Sequence, residues 1–247
     1  MGMVAILGAT GTIGEAIATR LIREGTSVLL VGRNRDKLSS LATHLSQPWL
    51  WLESIESQSL EEGLIQAAEQ HDRVSAIVNC IGSLWLKPAH HTSDEDFRRV
   101  IETNLVTAFA AVRAGSNMMR ESGGSIVLFA SAAAEIGIQN HEAIAAAKGG
   151  VIALARSAAA TYASYNIRVN VISPGLIQTN LTRAIWSHPS SAEASTRLHA
   201  LGRLGTPEHV ASLATWLLAP ENDWITGQTI GVDGGLGHVL PQRRATS

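Results

Sequence analysis

The segment "QNHEAIAAAK", residues 139–148, carries the two side chains best suited to handling a proton, those of His141 and Lys148. A histidine ring titrates near neutral pH, so it can donate a proton or a hydrogen bond to an oxygen atom. The two residues are seven positions apart, and seven steps of about 100° return a side chain nearly to the same face of an α-helix. If the helix begins before residue 141, we expect both side chains on one face. The alternative for His141 is a solvated or capping residue at the helix start.

A glycine-rich turn, "VAILGATGTIGEAI", places Gly8, Gly11 and Gly14 between a first apolar run and a first helical pattern. Glycines at such a junction allow a tight turn, let the backbone approach a pyrophosphate and leave its charge facing a helix N-terminus. Because the turn directly follows the first strand of an alternating pattern, it predicts a dinucleotide site rather than a plain turn. Thr10 and Ile13 belong to the same turn and are predicted to contact the cofactor.

The second apolar run ends in "LLVGRNRDKL", with Gly32 and Arg33 where an NAD-binding protein usually has an acidic residue for the ribose hydroxyls. No carboxylate there would repel a 2′-phosphate. Arg33 can form charge-assisted hydrogen bonds with that phosphate, with Arg35 as a helper, so the pattern favours NADP(H) over NAD(H). The alternative is a solvated basic turn.

The elements that must position these residues alternate between short β-rich runs and longer helical patterns. Seven strands are predicted, at 3–7, 27–31, 48–52, 74–80, 124–130, 167–172 and 228–232. Helices are predicted over 12–24, 34–45, 59–70, 94–120, 143–164 and 207–218. Strands that are apolar on both faces and separated by helices imply a parallel sheet covered on both sides. The sequence therefore predicts one doubly wound, Rossmann-type α/β domain over residues 1–247, with a seven-stranded parallel sheet and a frayed tail from about 240.

The composition is that of an ordinary globular protein, with 45% hydrophobic residues, 16% charged residues and a formal charge of −2. It lacks the basic excess of nucleic-acid-binding proteins, so no nucleic-acid partner is expected. The single cysteine, Cys80, permits neither an intramolecular disulfide nor a cysteine metal cluster, and no metal site is expected. No signal-like segment and no uninterrupted apolar run of membrane length are seen, so we expect a cytoplasmic protein without a membrane partner.

Taken in order, several motifs resemble the short-chain dehydrogenase/reductase family from about residue 3 to residue 237. They are the glycine turn, "NCIG" at 79–82, "IETNLVTAF" around Asn104, Ser131 after "SIVLFA", Lys148, "IRVNVISPGLIQT" and the stretch from Gly202 to Gly235. The resemblance implies a nicotinamide cofactor across the C-terminal edge of the sheet. The residues it places beside the cofactor, together with those of the turn, are Gly8, Thr10, Gly11, Ile13, Gly14, Arg33, Asn79, Gly82, Lys148, Pro174, Gly175 and Thr179.

The resemblance also implies an active site of a serine, a tyrosine, a lysine and often an asparagine. Ser131 would position the substrate oxygen, Lys148 would hold the nicotinamide ribose, and Asn104 would support a proton-relaying water. The place of the proton-donating tyrosine is taken by Ile144, at the expected distance from Ser131 and Lys148. The glycine spacing also departs from the short members of the family, which usually have glycine where Thr12 stands.

No other tyrosine can replace the missing acid, because Tyr162 and Tyr165 would lie roughly 21 and 26 Å from Lys148 along a helix axis. A ketone reduction needs a proton for its alkoxide, whereas an enolate can be stabilised by hydrogen-bond donors until solvent supplies the proton. His141 stands where related enoyl-ACP reductases have an active-site tyrosine, so it is a candidate donor. The sequence predicts an NADP-dependent oxidoreductase with an altered proton-donor site, reducing an activated C=C or C=O group of a small, partly apolar substrate.

Two alternatives stay open: a cofactor-binding protein without redox turnover, acting as a sensor or partner subunit, and a non-redox isomerase or cyclase. The family resemblance further implies a mobile substrate cover over about 180–202. Trp186 and His188 in this cover, and Trp85 and Leu86 in the loop after Gly82, are candidates to line the pocket as apolar walls; the alternative is that they pack on the protein itself. The helices at 94–120 and 143–164 resemble the pair that forms dimer interfaces in the family. A homotetramer or a homodimer is therefore expected.

Overall fold

The computed structural model describes residues 2–240, so the predicted frayed tail lies outside the described residues apart from its first position. Seven strands form one parallel sheet in the order β3-β2-β1-β4-β5-β6-β7. Their bounds are β1 Met3–Leu7, β2 Val28–Gly32, β3 Trp49–Trp51, β4 Val74–Asn79, β5 Gly124–Phe129, β6 Ile167–Pro174 and β7 Thr229–Val232. The seven predicted strands are confirmed, as is the doubly wound sheet with helices on both faces.

Six helices of the described chain cover the two faces of the sheet. The helices are α1 Thr12–Arg23, α2 Arg35–Leu45, α3 Ser57–Gln70, α4 Asp94–Ile101, α5 Thr107–Met118, α6 Glu142–Tyr162, α7 Arg183–Trp186, α8 Pro189–Leu198 and α9 Pro207–Leu218, of which α4, α7 and α8 do not pack on a face. Side chains of β1 alternate between two buried clusters, as the two-residue period of a strand requires. One cluster joins the sheet to α3, α5 and α6, and the other joins it to α1, α2 and α9.

The order of the strands reverses direction between β1 and β4. The chain runs outward from β1 through β2 to β3, then returns to place β4 on the other side of β1. In open α/β sheets, ligands bind in the crevice outside the carboxyl ends of the strands at such a switch point. The glycine turn after β1 and the "NCIG" segment after β4 both lie at this crevice.

The helix predicted over 94–120 is confirmed over 94–118, with a π-turn in its middle. α4 runs directly into a π-turn over Glu102–Val106 and then into α5, and the junction residues keep a right-handed helical backbone. A π-turn inserts one residue into the helical repeat and is frequent at functional sites. Asn104 lies within this turn, so the interruption sets the direction of its side chain.

The segment Glu142–Tyr165, which contains α6, is long and apolar enough to cross a membrane by length and composition alone. A core helix of a globular domain passes the same test. Val151 and Ala155 on α6 are buried in the cluster that joins this helix to the sheet. In the structure, α6 thus serves as a core helix whose first turns carry the predicted site residues.

Candidate functional site

The turn after β1 has a geometry that only glycine can adopt at two positions. Gly8 has a φ of +77°, in the left-handed region that disfavours other residues. A Cβ atom on Gly14 would lie 2.6 Å from the Gly8 carbonyl oxygen and 2.9 Å from the Ala9 Cα atom. The first N–H groups of α1 have no intrahelical partners and face outward from this turn. The turn therefore fits the pyrophosphate of a dinucleotide.

Thr12 is the first residue of α1 and stands where short members of the family usually have glycine. Its side chain forms a hydrogen bond that a glycine could not form. Its Oγ1 atom accepts a hydrogen bond of 3.2 Å from the backbone N–H of Asn180. Asn180 lies at the start of the segment predicted to cover the substrate. The threonine thus leaves the turn intact and connects it to that segment.

The segment after β4 closes the other side of the crevice. Asn79 is buried, and its Oδ1 atom accepts a hydrogen bond of 3.2 Å from the N–H of Ile81. A Cβ atom on Gly82 would lie 3.1 Å from Asn104 Oδ1 and 3.6 Å from Lys148 Nζ. The Gly82 backbone therefore packs between the Asn104 side-chain amide and the Lys148 amine. The hydrogen bond of Asn79 holds the turn that places Gly82 in this position.

Arg33 and Arg35 are exposed at the carboxyl end of β2, outside the main cavity. Within residues 2–240, neither arginine forms an ion pair with a carboxylate. The Arg33 carbonyl accepts a hydrogen bond of 3.0 Å from Trp51 Nε1, and the Arg35 guanidinium lies 5.9 Å from the centre of the Trp51 ring. Both charges are free to meet an anion, and the position of the turn is fixed by Trp51.

A cavity of about 460 Å³ lies at the C-terminal edge of β4, β5 and β6. It brings together nine of the predicted site residues: Ile13, Gly82, Asn104, Ser131, His141, Lys148, Pro174, Gly175 and Thr179. The glycines of the turn, Thr10, Asn79 and Arg33 do not line it and extend from it toward β1 and β2. Most of the remaining wall is aliphatic, with contributions such as Ile81, Leu84, Leu176 and Ile177.

Lys148 is the buried charged group of this cavity. Its Nζ atom donates a hydrogen bond of 2.9 Å to the Phe129 carbonyl at the end of β5, which leaves donor capacity directed at the cavity. Burial lowers the pKa of the Lys148 amino group to about 8, an effect that a charged Cys80 thiolate would oppose. Burial also raises the pKa of Cys80 to about 12, so the thiol stays protonated and inert near neutral pH.

Asn104 is buried in the π-turn, and all of its amide groups have partners. Its Nδ2 atom donates to Val100 O and to Ser83 Oγ, both at 2.9 Å, and its Oδ1 atom accepts from Ser83 N–H at 3.1 Å. A carbonyl can only accept and a backbone N–H can only donate, so these partners fix the orientation of the amide. Ser83 was not predicted from the sequence, although it directly follows "NCIG".

Ser131 and Ile144 face the same cavity. The Ser131 Oγ atom accepts a hydrogen bond of 3.3 Å from Ala133 N–H, so its own hydrogen remains available to a substrate oxygen. Ile144 is only 3% exposed and packs in an apolar cluster with Val100 and Ala147. No tyrosine in residues 2–240 lines this cavity.

His141 lies just before α6, which begins at Glu142, so the condition for placing it on the helical face of Lys148 is not met. Its ring nevertheless lines the cavity. The Nδ1 atom is 2.7 Å from the Gln139 carbonyl and must carry the hydrogen of that bond. The Nε2 atom can therefore donate only when the ring is protonated.

The predicted aromatic lining is wrong for Trp85, Trp186 and His188, whereas Leu86 does line the cavity. Each tryptophan N–H is held elsewhere: Trp85 donates to Thr92 Oγ1 at 3.0 Å, and Trp186 donates to the Thr179 carbonyl at 2.9 Å. His188 is exposed. Leu181, Ile185 and Leu198 contribute the apolar lining from this side instead.

His199 is a buried residue of the cavity that the sequence did not single out. Its Nδ1 atom donates to the Ser195 carbonyl at 2.7 Å, and its Nε2 atom accepts from Leu176 N–H at 3.1 Å. Both ring nitrogens are thus occupied, so the ring fastens the end of α8 to the turn after β6. Only the three-dimensional packing reveals this role.

The switch-point crevice, the glycine turn and the polar cavity define a dinucleotide-binding enzyme of the Rossmann type. The chain belongs to the short-chain dehydrogenase/reductase family. A family profile described as enoyl-(acyl carrier protein) reductase matches residues 8–237. Because its relatives are named dehydrogenases and reductases, we class the chain as an oxidoreductase.

Two curated relatives and two solved structures illustrate the similarity. A tropinone reductase homolog of Arabidopsis thaliana is 32% identical over 93% of this chain and 90% of its own. The 3-oxoacyl-acyl-carrier-protein reductase FabG of Vibrio harveyi is 30% identical over 95% and 97%. A putative gluconate dehydrogenase from Agrobacterium tumefaciens superposes with a TM-score of 0.92 at 28% identity, covering 96% of each chain. ElxO with NADP bound superposes with a TM-score of 0.89 at 26% identity, covering 96% of this chain and 99% of its own.

The buried amine predicts a pH dependence of stability. Burial lowers the folded-state pKa of Lys148 to about 8 from the ordinary lysine value of 10.5, so between these pH values the unfolded chain binds more protons. Stability must then rise with pH across this window, by on the order of 3 kcal/mol for a shift of this size. We expect the free energy of unfolding of the cofactor-free protein, minus that of Lys148→Met, to increase from pH 8 to pH 10.5. Urea unfolding at a series of pH values measures this difference, and a flat difference would contradict the assignment.

Proposed function

We propose that the protein is an NADP(H)-dependent reductase whose substrate oxygen is stabilised by hydrogen-bond donors rather than protonated by a tyrosine. The observation that carries the proposal is the apolar Ile144 side chain in the wall of a cavity that also holds Ser131 and Lys148. The preferred substrate is a small, partly apolar molecule with a C=C bond conjugated to a carbonyl group. An activated C=O group is the second substrate type.

The residues present fit a nicotinamide cofactor, which supplies a hydride when bound. The glycine turn and the first N–H groups of α1 would receive its pyrophosphate. Asn79, Gly82, Pro174, Gly175 and Thr179 would contact its nicotinamide half. Lys148, with one hydrogen bond made and donor capacity left over, would hold the ribose hydroxyls.

The chain's own groups would then act on the substrate oxygen. The Ser131 hydroxyl would donate a hydrogen bond to it, and the nearby ammonium group of Lys148 would favour its negative charge. A protonated His141 ring would donate from Nε2. None of these groups is a phenol at position 144, so we assign them to stabilise the negative charge of an enolate rather than to replace the tyrosine as the acid for an alkoxide. Solvent would deliver the proton to carbon afterwards.

We also propose that residues 180–202 form the substrate cover and that the protein is a cytoplasmic homotetramer or homodimer. The aliphatic residues that this segment contributes to the cavity support its role as a cover.

Phe97 on α4 and Phe109 on α5 are large apolar residues that remain substantially exposed, which supports association through these helices. The single cysteine supports a reducing compartment.

Cofactor choice is tested by replacing Arg33 with alanine. We expect the Kd for NADPH to rise about tenfold or more, because a charge-assisted contact with the 2′-phosphate is lost, while the Kd for NADH stays unchanged. Titration of the fluorescence of the six tryptophans with each cofactor measures both constants. Lys37→Ala is the matched control, since it removes one exposed positive charge from the neighbouring turn. An equal effect of both variants would mean that Arg33 acts only through the general field.

Substrate class is tested with matched pairs, such as 2-cyclohexenone and cyclohexanone, or an enoyl thioester and a simple ketone. We expect faster NADPH oxidation with the conjugated member of each pair, because only that reaction produces an enolate. Product analysis should show a saturated ketone or thioester rather than an allylic alcohol. Efficient reduction of the simple ketone with no reaction of the conjugated partner would refute the proposed class.

The role of position 144 is tested by Ile144→Tyr, with Ile144→Phe as the control for ring size. If the rest of the site is intact, the phenol should raise kcat/KM for a simple ketone by about 10² to 10⁴, the usual contribution of a general acid. The phenylalanine variant should show no such gain. Thermal unfolding of both variants monitors overpacking of the apolar cluster around residue 144. Equal rates for Tyr and Phe, with NADPH binding retained, would indicate a pocket built for turnover without such an acid or for no turnover at all.

A further inference from the structure

Ser83 is held in the cavity wall by two hydrogen bonds with one amide, one at its backbone N–H and one at its hydroxyl oxygen. Asn104 Oδ1 accepts from the Ser83 backbone N–H, and Asn104 Nδ2 donates to Ser83 Oγ. The Val100 carbonyl takes the other hydrogen of Nδ2 and so prevents the amide from rotating to the opposite polarity. Ser83 Oγ is therefore an acceptor toward Asn104. Its own hydrogen must point elsewhere.

Within residues 2–240, Ser83 Oγ forms no other hydrogen bond, and the residue lines the same cavity as Ser131 and Lys148. A hydroxyl that accepts a hydrogen bond becomes a stronger donor, because the two bonds polarise one another. The residue before Ser83 packs between Asn104 and Lys148, as the two short distances from a Cβ on Gly82 demonstrate. The hydroxyl thus lies in the region of the cavity influenced by the lysine charge.

The other polar side chains of the cavity are less available. His199 uses both ring nitrogens, Thr182 donates to the Ile177 carbonyl, and Thr179 shares its hydroxyl with Thr182. Asn104 has committed both of its N–H groups. On the sheet side of the cavity, two serine hydroxyls remain, Ser131 and Ser83, and each already accepts a bond from an N–H group.

We propose that Ser83 is a catalytic residue that donates a hydrogen bond to the substrate oxygen on which negative charge develops, acting beside Ser131, and that Asn104 is its positioning residue. This inference rests on the proposed function for the presence of such an oxygen. The pair supplies two preorganised donors where the chain has no phenol. Such donors stabilise an enolate without transferring a proton, so the substrate class they fit is a conjugated carbonyl compound.

The first experiment measures oxyanion binding without any turnover. 4-Nitrophenol is titrated against the protein with and without NADP⁺, and absorbance distinguishes bound phenolate from bound phenol. We expect Ser83→Ala to lower the phenolate affinity about tenfold or more, as for loss of a hydrogen bond to a charged group. Ser83→Thr should restore the affinity because it keeps the hydroxyl. Ser122→Ala, which removes an exposed hydroxyl outside this cavity, should behave as the wild type.

The second experiment measures kcat/KM for a conjugated enone and the Kd for NADPH. Ser83→Ala should lower kcat/KM about 10² to 10³, the usual effect of deleting one oxyanion donor, with NADPH affinity unchanged. A purely structural role would instead change the thermal unfolding temperature and NADPH affinity together and would not be rescued by threonine.

The outcomes separate the two proposals. If the wild type reduces no enone but its phenolate affinity depends on the Ser83 hydroxyl, the proposed function fails and the donor role stands. If enones are reduced and Ser83→Ala matches the wild type in both assays, the donor role is overturned and the proposed function stands. Phenolate affinity that is equal in wild type and Ser83→Ala, including no binding to either, also overturns the donor role.

Discussion

The hydrogen bond from Lys148 to the Phe129 carbonyl is the interaction around which the site is arranged. It fastens the second turn of α6 to the carboxyl end of β5, where the strand's last carbonyls have no further strand partner. An ammonium group that is removed from water is costly, so its environment must offset the loss with close polar contacts. Burial lowers the pKa of Lys148, so the single carbonyl contact offsets the loss of water only in part. The Lys148 amine therefore still gains from donating hydrogen bonds to hydroxyl groups, or from a negative charge, in the cavity.

The polar groups around this lysine are divided between those that fix structure and those that face the cavity. Asn104 and His199 are fully bonded, and both hold segments that approach from outside the sheet. Ser83 and Ser131 each receive one N–H and keep a hydrogen free. This division explains how a cavity with no tyrosine among its described lining residues can still be well ordered. Ile144 closes the cavity wall by apolar packing and adds no polar group that would need a hydrogen-bond partner.

The strands could be predicted from the sequence because β-rich runs on a two-faced sheet are short, apolar and bounded by turns, and β1 to β7 obey that pattern closely. The π-turn at Glu102–Val106 could not, because its residues are equally compatible with an uninterrupted α-helix and the contacts of Asn104 exist only in the folded chain. A shared helical face for His141 and Lys148 required a helix that includes residue 141, and α6 begins one residue later. The tryptophans misled because their hydrophobicity suggested cavity walls, whereas their N–H groups found Thr92 and the Thr179 carbonyl. The gathering of nine predicted residues around one cavity follows from the parallel sheet, whereas Ser83 and His199 emerge only from tertiary contacts.

The Thr12 hydroxyl joins two segments that lie far apart in the chain, the turn after β1 and the beginning of the stretch at Asn180. A ligand that immobilises the turn also restrains the first residue of that stretch through this bond. Part of the conformational entropy needed to enclose a second ligand is then already lost when that ligand arrives. Because such coupling is reciprocal, the second ligand would raise the affinity for the first by the same factor. A single side chain in the place of a glycine thereby lets the two halves of the crevice strengthen each other's binding.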